Sequence, residues 1–185
     1  MERIATWNDV VQLRRQLKDT NLEYYLNENL FSFGWWLLLL TMIGLIVLWI
    51  ILVDKNRIIE IVTFGLMITI SAVILDVIGV SLMLWGYPNM LLPLVPPIFT
   101  IDVGHIPIFY MLIYQYFNKW KSFLIAMTLT SFTFSFVFEP ITVWLRIYET
   151  HQWKYIYSFP IYIFLGVLFK WIMIKLKKLK KIENR

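Results

Sequence analysis

The chain contains no cysteine, which excludes disulfides, thiolate nucleophiles, iron–sulfur clusters and every cysteine-based zinc site. Histidine is almost as scarce, with two residues. Charge is thin as well: Asp, Glu, Lys and Arg make up 16% of the sequence, against roughly 25% in an ordinary soluble domain. A chain so short of charge cannot clothe a water-soluble surface. Any chemistry must come from carboxylates, two imidazoles, hydroxyls or amines, and no spacing marks a cofactor or metal motif, so neither is expected.

What the chain has is apolar length. Hydrophobic residues make up 59% of its 185 positions, gathered into stretches of about 20, the number a helix needs to cross a hydrocarbon core of about 30 Å. The pattern predicts an all-α polytopic membrane helix bundle with about five transmembrane helices, over residues 31–53, 58–84, 101–117, 122–148 and 156–174. Residues 1–30 form a polar leader, 31–174 the transmembrane domain and 175–185 a basic tail. Polar turns at 54–57 and 118–121, a loop over 89–100 carrying Pro93, Pro96 and Pro97, and a loop at 149–155 separate the spans.

The leader lacks the apolar core and small-residue cleavage site of a signal peptide. Thr6 followed by Asp9 resembles a capping box, and Ile4, Trp7, Val11 and Leu17 recur near helical spacing. A short amphipathic helix on the membrane surface is expected; the alternative is a solvated leader ordered only in an oligomer.

Five spans place the termini on opposite sides. With the two short turns and the tail in the cytoplasm, eleven of the 17 Lys and Arg lie inside, the orientation that the positive-inside rule favours. The N-terminus would face outward across the plasma membrane of a bacterial cell. The net charge of +5 is concentrated in the tail beside a membrane segment, which points to anionic lipid headgroups rather than nucleic acid.

A shift of 63 residues lays Asp76-Val77-Ile78-Gly79 over Glu139-Pro140-Ile141-Thr142 and Trp85 over Tyr148. At a shift of 53, Ile106-Pro107-Ile108-Phe109 falls on Phe159-Pro160-Ile161-Tyr162. Spans 2–3 would then repeat as spans 4–5, in parallel, about an axis along the membrane normal.

Small and polar residues form a stripe on each of two helices: Gly65, Thr69, Ala72, Asp76 and Gly79 on the second span, and Thr128, Ser131, Ser135, Glu139 and Thr142 on the fourth. Gly65, Ala72, Gly79, Ser131, Ser135 and Thr142 are the expected helix-packing positions. Charged groups at membrane depth cost several kcal/mol and need a partner or a task. Asp76 and Glu139 stand about 27–28 Å along their helices from the cytoplasmic charges, in the outer part of the membrane. Together with Asp102, His105 and Arg146 they form the candidate polar cluster. It reads as a satisfied network with Arg146 paired to an acid, as a proton- or cation-binding pocket, as a hard-ligand divalent metal site without a recognised motif, or as a catalytic group. Pro140 frees the Phe136 carbonyl beside Glu139, or kinks the helix for packing. Glu60 and Lys170 read as interfacial anchors, and His151 as a solvated loop residue.

The strings Leu75-Asp76-Val77-Ile78-Gly79, Leu84-Trp85-Gly86-Tyr87-Pro88, Lys119-Trp120-Lys121-Ser122-Phe123, Phe138-Glu139-Pro140 and Trp153-Lys154-Tyr155-Ile156-Tyr157-Ser158-Phe159-Pro160 resemble those of a family of small multi-pass membrane proteins of endospore-forming Gram-positive bacteria. The resemblance implies a plasma-membrane location and no particular substrate. Three functions are consistent with the residues. The first is a non-enzymatic membrane component, such as an accessory or assembly protein. The second is a small transporter or channel-like subunit with an outward-facing acidic pocket, for which five spans would call for a homo-oligomer. The third is a membrane enzyme acting on a lipid, the weakest because no catalytic spacing is present.

Overall fold

Thr6 is extended and starts α1 (Trp7–Tyr24) with a reciprocal capping box: its hydroxyl accepts from the Asp9 amide, and the Asp9 carboxylate accepts from the Thr6 amide at 2.8 Å. α1 buries no residue against the rest of the chain. A π-helical turn, Tyr25–Asn29, leads to α2 (Phe33–Leu52), which the Ser32 hydroxyl caps. The polar turn Lys55–Arg57 then reverses the chain into α3 (Ile58–Ser81). The computed structural model describes residues 4–93 and 99–183. Pro96 and Pro97 of the expected proline-rich loop, like Arg185 of the tail, lie outside the described residues.

The second half begins with a π-helical turn, Thr100–His105, running into α4 (Ile106–Tyr116). α5 (Trp120–Thr133) continues through a further π-helical turn, Phe134–Phe138, into α6 (Glu139–Trp144), and α7 (Tyr155–Glu183) closes the chain. Two prolines explain both of these wide turns. Pro107 and Pro140 have no N–H to give, and in each case the residue before the proline donates to a carbonyl five positions back, Ile106 to Ile101 and Glu139 to Phe134. The helix thus widens to pass the missing donor without stopping.

Among the described residues four helices are long and apolar enough to cross a membrane: Phe33–Leu52, Lys55–Ser81, Trp120–Trp144 and Tyr155–Leu179. The segment expected as the third span, 101–117, is split between the Thr100–His105 turn and the eleven residues of α4. α4 is the most enclosed helix, burying Ile106, Ile108, Tyr110, Met111, Ile113 and Tyr114. It packs on α3, which also packs on α7, while α5 packs on α7 and α2 lies against the Thr100–His105 turn. α2 is peripheral, with only 6% of its apolar window buried within the protein, so its remaining surface suits lipid.

The end of the bundle that holds Lys55 and Arg57 is tied by polar contacts. Gln115 accepts from the Asp54 amide at 2.9 Å and donates to the Leu52 carbonyl at 2.8 Å. Glu60 takes Arg57 at 2.9 Å, Lys177 at 2.6 Å and the Tyr114 hydroxyl. Lys170 is 3% exposed, donates to the Phe117 carbonyl at 2.7 Å and lies over the Phe123 ring.

At the far end α3 and α6 stop in the same way. Leu82 and Leu145 cap them with nearly identical dihedrals, and Met83 and Arg146 follow with φ of 54° and 55°. The amides of Leu82, Met83 and Leu84 bond to Ile78, Val80 and Gly79; those of Leu145, Arg146 and Ile147 bond to Ile141, Val143 and Thr142. Two short strands follow, β1 (Trp85–Gly86) and β2 (Glu149–Thr150), and they pair antiparallel with Gly86 opposite Glu149.

Candidate functional site

A cavity of about 250 Å³ lies between α3, the Thr100–His105 turn, α6 and α7, beneath the paired strands. Asp76 from α3, Asp102 from the turn and Glu139 from α6 all line it. The rest of its wall is mostly apolar or aromatic, including Trp85, Tyr87, Tyr148, Trp153 and Tyr162, with the hydroxyl residues Thr142 and Ser158, and among the described residues no Lys, Arg or His lines it. The cavity therefore concentrates acid without a protein cation.

Each acid is placed by a local device. Asp76 is one turn before Gly79, where the Trp85 ring crosses so closely that a Cβ would overlap it. That close approach lets the Trp85 indole donate to Asp76 Oδ1 at 2.8 Å, and the Tyr87 hydroxyl donates to the same oxygen. Both donors come from the chain reversal that the end of α3 creates. Asp102 is held in the π-helical turn before Pro107, 5% exposed and within hydrogen-bonding reach of Asp76. Its Oδ2 is buried with no hydrogen-bond donor. Glu139 ends the second wide turn; the Tyr162 hydroxyl donates to its Oε1 at 2.9 Å and Ser158 stands beside it. The Ser158 hydroxyl itself accepts from the Trp153 indole at 2.9 Å.

Burying a carboxylate without donors costs several kcal/mol, and each hydrogen bond to a charged group returns roughly 1.5–3 kcal/mol. Asp76 and Glu139 receive such bonds. Asp102 faces Asp76, itself an acceptor unless a proton lies between them, so the pair lacks positive charge in the protein alone.

The other two members of the sequence cluster go elsewhere. His105 shares one face with Asp102 only in a regular α-helix, and the wider π register turns the two apart. The imidazole bridges the Thr100 carbonyl at 2.9 Å and the Thr41 hydroxyl of α2 at 3.0 Å. Arg146 is exposed, and its carbonyl accepts from Asn89 at 2.8 Å. His151 is exposed, with its ring 4.0 Å from Glu149. Among the described residues no group of three or more His, Cys, Asp or Glu converges as a metal site. The packing positions Gly65, Ala72, Gly79, Ser131 and Ser135 are buried, and Thr142 lines the cavity.

Sequence reasoning missed the aromatic and hydroxyl part of the site: Trp85, Tyr87, Tyr148, Trp153, Ser158 and Tyr162. The available signal was the alignment of Trp85 with Tyr148 beyond the two acids. Loop aromatics in a membrane chain read first as interfacial belts, and that reading concealed their inward role. No family model, curated protein or solved structure matches the chain, so its function has to be argued from the cavity.

Proposed function

We propose that this chain is a small multi-pass protein of the cell membrane that takes a cation, a proton included, into the cavity lined by Asp76, Asp102 and Glu139, and acts as a transporter or channel-like subunit. The observation that carries the reading is the buried Asp102 Oδ2, without a donor, in a cavity that no cationic side chain lines among the described residues. Intramembrane acids in that condition have a partner or a task. A proton or cation in the cavity supplies the missing charge.

The distribution of positive residues supports an outward-facing cavity, since the turns carrying Lys55, Arg57, Lys119 and Lys121 lie at the opposite end and positive loops favour the cytoplasm. Thr100–His105 and α4 together would supply the fifth crossing, with a widened turn at substrate depth, where irregular backbone is tolerated because it lines a cavity. The matching ends of α3 and α6 and the pairing of Gly86 with Glu149 support a parallel repeat whose two-fold axis passes between the strands. An accessory role is favoured by one feature, the uncovered apolar residues Ile4, Trp7, Leu13 and Leu17 on or beside α1, which suit a membrane surface or a second subunit.

Charge movement in proteoliposomes on a solid-supported membrane tests the reading. Jumps in pH, Na⁺, K⁺ or tetramethylammonium should produce a transient current with at least one of these cations. The current should be lost in Asp102→Asn and Glu139→Gln variants that keep their helicity and elution volume. No current with any cation, or equal currents in the variants, would overturn it.

A further inference from the structure

The shape and chemistry of the cavity wall narrow the cation. A metal or alkali ion gives up a strongly bound hydration shell and must receive several oxygens in return. Here Asp76 Oδ1 is already taken by Trp85 and Tyr87 and Glu139 Oε1 by Tyr162, which leaves Asp102 Oδ2 and Glu139 Oε2, on separate elements, fewer oxygens than a dehydrated metal ion needs. Among the described residues the acids do not converge as a metal site. The remaining wall is poor in replacements for water: the indole N–H groups of Trp85 and Trp153 are spent on Asp76 and Ser158, so these rings offer the cavity carbon and π surface. They stand edge to face at 4.9 Å, and the rings of Tyr87 and Tyr148, also in the wall, are 5.7 Å apart.

Resting on the cation-binding reading above, we infer that the ligand of this cavity is an organic ammonium group, a primary amine or a quaternary ammonium with a small apolar body, whose charge meets Asp102 and whose carbons meet the indole and phenol rings. A quaternary ammonium is weakly hydrated, a primary one brings three N–H donors that a carboxylate can accept, and both are attracted to aromatic faces. Asp102 supplies the second requirement, since it is 5% exposed, lines the cavity and has an oxygen without a donor. The volume of about 250 Å³ equals roughly eight waters, enough for a compact ammonium and too little for a long chain. The ammonium can come from a free amine or from an aminolipid headgroup, because the chemistry at the acid is the same.

Full-length protein in nanodiscs of phosphatidylglycerol alone tests this with choline and tetramethylammonium as probes, read by tryptophan fluorescence and equilibrium dialysis. The neutral isostere 3,3-dimethylbutan-1-ol and the ions Na⁺, K⁺ and Mg²⁺ serve as comparators. Saturable choline binding, at least about tenfold tighter than the neutral isostere, is expected. Asp102→Asn should weaken it by about tenfold or more. Trp153→Leu, which removes an aromatic wall and leaves all three acids in place, should weaken choline binding as well. Adding phosphatidylethanolamine to the nanodisc separates the sources: competition with choline assigns a lipid headgroup, and no competition assigns a free amine. Absence of choline binding in protein that still gives a proton or Na⁺ current would overturn this inference and leave the cation-binding function standing. Absence of both would overturn the two together. Equal binding of choline and its neutral isostere would also refute it.

Discussion

Gly86 and Glu149 face each other in the antiparallel strand pair, and they are also the two residues that coincide when the chain is laid on itself at a shift of 63. The same relation holds for Leu82 with Leu145 and Met83 with Arg146, whose backbone angles agree closely. In the proposed repeat this pair would lie on the local two-fold axis. The two chain reversals thus roof one cavity, each bringing an acid and aromatic residues to it.

Because the chain has no cysteine of its own, this pairing can be checked cleanly. Opposed residues in antiparallel strands have Cα atoms roughly 4.5–5.5 Å apart, within the range a disulfide bridges. The double variant Gly86→Cys, Glu149→Cys should close a disulfide under mild oxidation, detected as a loss of about two mass units and as linked peptides after digestion. Shifting one partner, as in Gly86→Cys with Gln152→Cys, should reduce the yield.

Gly79 allows the Trp85 ring to cross α3 beside Asp76. A Gly79→Ala substitution forces ring and helix apart and should cost about 1–3 kcal/mol, the usual penalty of overpacking. Its check is a lowered melting temperature.

Glu60 gathers Arg57, Lys177 and Tyr114 at the basic end. Glu60→Ala leaves these donors unpaired, at a cost of about 1–3 kcal/mol, and should free the last turns of α7. Faster tryptic cleavage after Lys177, with the far-end cavity unaffected, is the expected outcome.

The start of α1 has a defined pH dependence. Asp9 accepts hydrogen bonds from the Thr6 amide and hydroxyl, which hold its carboxyl below its ordinary value of 3.8. A lowered acid contributes fully above its unfolded value, and the contribution disappears as pH falls through the lower folded one. Exchange of the first-turn amides should therefore be independent of this pair near neutrality and accelerate, relative to a Thr6→Ala variant, only below about pH 4.

The all-helical character of the chain and its long apolar helices were legible because long apolar runs dominate every other signal, and the Thr6 and Asp9 cap was legible because its donors and acceptors are three residues apart. Asp76, Asp102 and Glu139 also stood out, as charges within apolar segments. The π-helical turns did not: a 3.6-residue period assumes a regular helix, and Pro107 and Pro140 change the period where it matters. That change sends His105 to Thr41 and leaves Asp102 in the cavity. The partners Trp85, Tyr87 and Tyr162 reach the acids through tertiary packing, which no local spacing encodes.

The most direct test of the central claim is the melting temperature of wild-type and Asp102→Asn protein in nanodiscs as tetramethylammonium is titrated. The Asp102→Asn amide supplies a permanent donor to Asp76 where the wild type needs a proton or another cation at the two carboxylates, so the variant should melt higher without ligand. Wild-type protein should then gain stability as the cation fills the cavity, by about 2.7 kcal/mol at a hundredfold excess over its dissociation constant, while the variant stays unchanged. Equal responses in the two proteins, or a variant that melts lower and still responds, would contradict a cation site built on Asp102.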